Sequence, residues 1–406
     1  MDLKEALQPY AARSIAHRRY LHTIPELSFE EYKTAAYIRE QLADMDVEME
    51  DKYSGNSVVG YVVGTRPVPP TQAGEPGPNN KTVAFRADID ALPVQEAVDL
   101  PYKSTVDGLM HACGHDAHAG TMLEMVRFLS EHRDLFSGRM KFMFQQGEEK
   151  LPGGGRILCE EGVMDGVDEV YTYHCSSRYK IGEVAMTRGA SKSSIGMYHV
   201  TITGHGGHGG YPHLSINPVV CAATAVAAIN QLVTTSVDAL RSGVITTGYI
   251  QAGVARVTNV IPGTCSFGGN IRSLDNETID LLFDKVEAIL RGTCEAYGCT
   301  FTYEKEKGYP ATIGTDAQFD IINAVREDMG LINATDKPQM AADDFAYYAL
   351  ERPSAYAMIG MNDESMGPVP IPHHNARFTI DDERGMPIAL EFMVRTFLKA
   401  VGCDPI

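Results

Sequence analysis

Two kinds of apolar run alternate along the first 187 residues. SVVGYVVG (57–64), KTVAFRADIDALP (81–93), RMKFMFQQGEE (139–149) and DEVYTYHC (168–175) contain short apolar stretches rich in β-branched and aromatic side chains. Such runs predict buried strands, because a strand covered on both faces needs no polar alternation. Between them, HAGTMLEMVRFLSEH (118–132) and GRILCEEGVM (155–164) carry the spacing of helices, the first starting near His118. Residues 1–48 read as amphipathic helices interrupted at TIPELSFE (23–30), where Pro25 breaks the pattern. Ser28 followed by Glu31 predicts a capping box at the start of the next helix.

After residue 187 the pattern changes. MYHVTIT (197–203) alternates as a half-buried strand, and VITTGYIQAG (244–253), TCSFGGNIRS (264–273) and CTFTYEKE (299–306) also read as strands. INPVVCAATAVAAINQLVTT (216–235) and TIDLLFDKVEAILRGTCEAYG (278–298) read as helices. The order is β-α-β-β-α-β, a sheet covered on one face by two helices. The remaining chain returns to helices at 316–330, 343–351 and 385–402 and a strand near AYAMIG (355–360). The expected fold is therefore α/β with two domains. Residues 1–187 and 304–406 form a discontinuous, mainly parallel-sheet domain, and residues 188–303 form an inserted ferredoxin-like domain. The Pro- and Gly-rich stretch 66–80 is expected to be an exposed loop.

A length of 406 residues fits this division, since one hydrophobic core seldom serves so long a chain. The net charge of −18, from 53 acidic and 35 basic side chains, argues against a nucleic-acid partner. It does not argue against a small anionic substrate, because one local Arg dominates a pocket. The eight cysteines are scattered, which reads as reduced thiols and a cytoplasmic protein. The charged N-terminal segment lacks an apolar signal core, so secretion is not expected. No run approaches the length of a membrane span, so no membrane partner is expected.

In a parallel sheet the carboxyl ends of the strands mark the site. Three strand ends here carry Asp88 and Asp90, Glu148 and Glu149, and His174. HACGHDAH adds His111, Cys113, His115 and His118, with Gly108 before the motif and Gly114 within it, in a turn between strand and helix. A thiolate, carboxylates and imidazoles suit zinc or a similar divalent ion. His118, on the helix side, reads better as a packing or supporting residue. The alternatives are a solvated acidic turn at Glu148–Glu149 and a core histidine at His174. A further histidine pair stands at 373–374. In the second domain, TGHGGHGGYPH spaces His205, His208 and His213 with glycines, either as a flexible loop or as a donor to an oxyanion. Arg272 stands on a strand, placed for a carboxylate clamp or for a salt bridge.

In order, LHTIPELSFEE, FRADIDALPVQE, MHACGHDAHAGTML, GEE, YTYH, GHGGHGGYPH, NVIPGTCSFGGNIRSLD, DDFAYY and HHNARFTIDDE resemble the amidohydrolase branch of the aminoacylase/carboxypeptidase metallopeptidases. That branch holds hippurate hydrolases, N-acyl-amino-acid amidohydrolases and auxin-conjugate hydrolases. The resemblance implies two divalent metal ions, Zn or Mn, on Cys113, His115, Glu149, His174 and His374, with Cys113 bridging. His374 is preferred over His373 because Asn375 supplies the small polar residue expected after the ligand. The resemblance also implies Glu148 as general base, Asp90 as its supporting carboxylate and His208 as a donor to the carbonyl oxygen. Asn259 and Arg272 would hold a substrate carboxylate, with His213 at the cleft and a homodimer as the assembly. The implied activity is cleavage of N-acyl amino acids by a metal-bridged hydroxide. The alternatives are a dipeptidase or carboxypeptidase of the same family and, further off, a metal-binding protein without catalysis. Three features depart from the family pattern. CSSRYKIGE after His174 lacks the usual proline and aromatic residues, Asp343 replaces a glutamate, and the 66–80 stretch is long.

Overall fold

Why the strand runs lack alternation is clear from where they lie. In this computed structural model, which describes residues 2–67, 80–335, 337–363 and 370–403, six of the seven residues of Thr82–Asp88 are buried. Residues 68–79 of the expected 66–80 loop lie outside the described residues. The chain divides into two compact units. One comprises Met1–Ser191, Ile313–Lys337 and Asp344–Ile406, the other Lys192–Thr312 and Pro338–Asp343.

The first unit is built on an 8-stranded mixed sheet, ordered 48–49, 58–63, 139–145, 82–88, 169–180, 354–362, 183–186, 332–335. Its centre is parallel: 82–88 pairs parallel with both 139–145 and 169–180, and 169–180 pairs parallel with 354–362. Val83, Phe85 and Ala87 face one core, shared with the helices Leu3–His22, His115–Glu131 and Asp382–Ala400. Ala84 and Met143 face a second core with Leu158, Phe345 and Tyr348. Both faces are thus covered, as the unbroken apolar strands require.

A buried polar network sits within the sheet around Arg86. Arg86 is buried and donates to Asp88 Oδ2 at 2.5 Å, Asp344 Oδ1 at 2.6 Å and Gln145 Oε1 at 2.9 Å. Asp344 Oδ2 in turn accepts from Gln145 Nε2 at 2.7 Å and Gly155 N at 2.8 Å. Arg86→Met would remove the cation that two buried carboxylates share, which costs about 3–5 kcal/mol. A urea unfolding midpoint close to that of the wild type would show that these carboxylates do not depend on Arg86.

The second unit has a 4-stranded antiparallel sheet ordered 244–252, 264–273, 194–203, 300–307. Strand 194–203 alternates buried and less buried residues, so only one face is packed. That face holds Tyr198, Val200, Ile202 and Phe267 against Ala222 and Leu282, from the helices Pro218–Ile229 and Asn276–Tyr297. The single helix expected over 216–235 is two, Pro218–Ile229 and Leu232–Ser236. Among the described residues no helix is long and apolar enough to cross a membrane.

Two local expectations are corrected. The helix expected near His118 begins at His115, after Gly114 in the left-handed region at φ 87°. The capping box at Ser28 and Glu31 does not form. The helix Tyr32–Leu42 has no side-chain cap, and both side chains bond elsewhere.

Candidate metal centre

Gly114 sets the centre up. Its φ of +87° suits only glycine, and a Cβ there would lie 2.2 Å from Cys175 Sγ. Turning there places Cys113 just before the helix and His115 and His118 on its first turn, ring centroids 5.5 Å apart. His174 ends the apolar part of the 169–180 strand, and Glu148–Glu149 follow the 139–145 strand.

The second nitrogen of each histidine decides what the first can do. His115 Nδ1 lies 3.1 Å from both the Asp90 carbonyl and Asp90 Oδ1, which makes it the donor nitrogen and turns Nε2 outward. That Nε2 is buried without a hydrogen bond, 4.0 Å from Glu149 Oε1, which likewise has none. His174 donates from Nδ1 to the Cys175 carbonyl at 2.7 Å, and its Nε2 lies 3.5 Å from Cys113 Sγ. His118 has both nitrogens engaged: Nδ1 donates to Asp88 Oδ1 at 2.5 Å, and Nε2 accepts from Cys175 N at 2.9 Å. It therefore supports the strand beside His174 and offers no free lone pair, as expected of a supporting residue.

Both members of the 373–374 pair reach the centre. His373 Nδ1 is 3.5 Å from Cys113 Sγ, and its ring is tilted against that of Phe378, centroids 4.8 Å apart. His374, at φ 65°, brings Nε2 to 3.1 Å from Glu149 Oε1 without making a hydrogen bond to it. The donors thus form two groups sharing Cys113: one with His174 and His373, one with His115 and Glu149. An S–N edge of about 3.5 Å is what a tetrahedral ion with bonds of about 2.3 and 2.0 Å requires. Both Cys113–imidazole distances match it. His115 Nε2 and Glu149 Oε1, buried and without a hydrogen bond, face one another, which is costly unless a proton or a metal cation lies between them.

Electrostatics point the same way. Burial, reinforced by Glu149 and Glu148, pushes the Cys113 thiol well above its usual range, so only a bound cation makes it a thiolate. Burial opposes the charge on His115, yet Asp88, Asp90 and Glu149 outweigh it and push the ring up to about 10. A proton fills that position until a divalent ion displaces it. Asp88, opposed by burial, is held well below the carboxylate range by Arg86, His115 and His118. Asp90 accepts from Ser28 Oγ at 2.7 Å and from Glu149 N at 2.9 Å, so it ties His115 to the acidic turn. Glu148 is buried, with a carboxylate oxygen within 4.8 Å of one on Asp344. His111 stays outside both groups. It is wholly enclosed, and burial lowers it to about 4.

In the second unit, His208 pairs with Val260 across a two-residue ladder and is exposed. Its Nδ1 accepts from Gly210 N at 3.0 Å, which leaves the proton on Nε2 as an outward donor. Asn259 adjoins this ladder, its carbonyl accepting from Gly209 N at 2.8 Å. Arg272 is half-buried on the 264–273 strand, with Nη1 donating to the Met340 carbonyl at 2.7 Å. His213 is exposed in the short turn Pro212–Leu214. Sequence reasoning missed Arg86, Asp344, Ser28 and Glu31 as supports of the centre. No periodic signal marks them as supports, because the bonds they make reach distant parts of the chain.

A parallel-sheet α/β unit with a shared thiol, imidazoles and an acidic pair at its strand ends is the site of a metal-dependent hydrolase. The chain belongs to peptidase family M20/M25/M40, which residues 84–399 match, and to its amidohydrolase branch. It is 33% identical over 369 residues to Thermostable carboxypeptidase 1 of Saccharolobus solfataricus, covering 90% of each chain. It is 31% identical over 372 residues to IAA-amino acid hydrolase ILR1-like 4 of Arabidopsis thaliana, covering 90% of this chain and 81% of that one. Among solved structures, the Bacillus subtilis YXEP protein, a dinuclear metal binding peptidase, superposes with a TM-score of 0.82. It is 25% identical, over 98% of this chain and 99% of that one.

Proposed function

We propose that this protein is a dinuclear metal-dependent amidohydrolase that removes the acyl group from N-acyl amino acids. The observation that carries the reading is the pair of donor groups sharing Cys113, with Glu148 beside them. Cys113, His115, Glu149, His174 and His374 would hold two divalent ions, zinc or manganese, with His373 a further donor at Cys113. Bound there, the ions supply Lewis-acid polarisation of the amide carbonyl and a water acidic enough to attack near neutral pH. Glu148 takes the proton from that water and delivers it to the leaving nitrogen. Asp90 keeps His115 in the tautomer that presents Nε2.

His208 supports the developing oxyanion through its Nε2–H. Arg272 keeps donors beyond the one given to Met340, and with Asn259 it receives the substrate carboxylate. The exposed edge strand 244–252, with Tyr249 and Ile250 outward, supports a homodimer through this sheet. The eight unpaired cysteines, seven of them buried, support a cytoplasmic setting. The carboxypeptidase among the relatives keeps a second substrate class in view, peptides with a free C-terminus.

The test is a hydrolysis panel on metal-stripped protein with each ion restored, comparing N-acetyl, N-benzoyl and indoleacetyl amino acids with free dipeptides. The expected result is higher kcat/KM on the N-acyl compounds. Faster turnover of dipeptides would move the protein to the carboxypeptidase reading, and hydrolysis of neither would defeat both.

A further inference from the structure

The LSFEE stretch (27–31), read from sequence as a helix start, grips the two chain segments that carry the centre. Leu27 bridges Ala91, and Ala91 N donates to the Glu26 carbonyl at 2.8 Å, fixing the segment that holds Asp90. Ser28 Oγ donates to Asp90 Oδ2 at 2.7 Å, and the same oxygen accepts from Glu149 N at 2.9 Å. Glu31, fully buried, accepts from Gly147 N at 2.8 Å and Phe29 N at 2.9 Å on Oε1, and from Asn56 Nδ2 at 3.2 Å on Oε2. Gly147 itself stands at φ +62°, and a Cβ there would meet the Phe29 ring at 2.4 Å. The peptide N–H groups on both sides of Glu148 are therefore each held by a buried carboxylate, Glu31 before it and Asp90 after it.

We propose that Glu31, with Ser28 acting through Asp90, is a positioning residue that fixes the direction of Glu148 and Glu149. The inference rests on the hydrolase reading for its consequence in catalysis and on the hydrogen bonds alone for its structural part. Nothing else about Glu31 requires a buried carboxylate. Its side chain makes no capping bond to the Tyr32–Leu42 helix and, among the described residues, no ion pair, and burial together with Asp90 raises it to about 7. A buried acid without a counter-ion is costly, so its bonds to the Gly147 turn are what hold it there.

The test compares Glu31→Ala, Glu31→Gln and Ser28→Ala in the metal-loaded full chain, with Glu148→Gln in parallel. Amide exchange of the peptide covering 144–149 is read alongside kcat, KM and bound metal. Glu31→Ala should speed exchange there about tenfold, the loss of one buried hydrogen bond. It should lower kcat on the order of 10- to 100-fold at little-changed KM, the cost of a misdirected base. Glu31→Gln keeps the Oε1 acceptor and should restore most of both. Ser28→Ala, a milder change, serves if Glu31→Ala does not fold, and should lower kcat by a smaller factor.

Unchanged exchange in Glu31→Ala overturns the proposal whatever the activity. So does kcat within twofold of wild type, or a Gln variant as impaired as the Ala variant. If Glu148→Gln is inactive while Glu31→Ala is not, the positioning role fails and the hydrolase reading stands. A wild type inert on every substrate fails the hydrolase reading, and the exchange data alone then decide whether Glu31 holds the turn.

Discussion

Glu148→Gln is expected to keep its full complement of divalent ion and to lose turnover by on the order of 10²- to 10⁴-fold, the range for removing a positioned general base. The geometry separates the two properties. The two donor groups that share Cys113 add His174 and His373 in one and His115 and Glu149 in the other, with His374 approaching Glu149, and Glu148 is outside both. Its backbone is held on both sides, through Gly147 N to Glu31 and Glu149 N to Asp90, so an isosteric amide keeps the turn in place. What the amide lacks is the ability to take a proton and return it. KM should change little, since the substrate carboxylate is assigned to Asn259 and Arg272. Metal analysis beside steady-state kinetics on the best panel substrate checks this. Intact turnover with metal bound would remove Glu148 from its assigned role, and lost metal would make it a ligand.

How far the sequence foretold this centre depends on which physical signal each residue carries. The strand ends were legible because buried parallel strands read as unbroken apolar runs, and an acid or imidazole at the end of such a run stands out. Glu148, Glu149 and His174 stand out that way, whereas Cys113 and His115 stand out through the density of candidate ligands in HACGHDAH. The helix start was misplaced because its signal is a left-handed Gly114, and a glycine between Cys and His reads equally as a loop residue. Ser28 and Glu31 were misread for a related reason. Their spacing is that of a capping box, and only the fold shows that Asp90 and Gly147 compete successfully for the same side chains. The Arg86–Asp344 pair spans 258 positions and has no local signature at all. The 373–374 pair shows a further limit, because neighbouring residues share one motif. The left-handed backbone at His374 lets both side chains approach the centre, one at Cys113 and one at Glu149.

Cys113→Ala should uncouple stability from metal. Cys113 is the one side chain common to the two donor groups, so its loss opens a ligand position in both. Without metal the cost should be small. The side chain is short, and burial and the neighbouring carboxylates keep the thiol neutral, so no charge is left unpaired. With metal the cost should be large. An ion at about 1,000 times its Kd stabilises the folded chain by about 4 kcal/mol, and the variant should lose most of that increment. Turnover should fall with it, because the carbonyl and water are polarised only where the ions are held. Thermal unfolding of stripped and reloaded protein, wild type against variant, measures the difference directly. A Cys113→Ala chain that still binds two ions and gains the full stabilisation would mean that His115, Glu149, His174 and the 373–374 histidines hold them alone. The 3.5 Å approaches of His174 and His373 to the sulfur would then be packing contacts. Cys113→Ser distinguishes geometry from charge. Its hydroxyl fits the same space but ionises far less readily than a thiol, so partial recovery of binding would show how much of the affinity comes from thiolate charge.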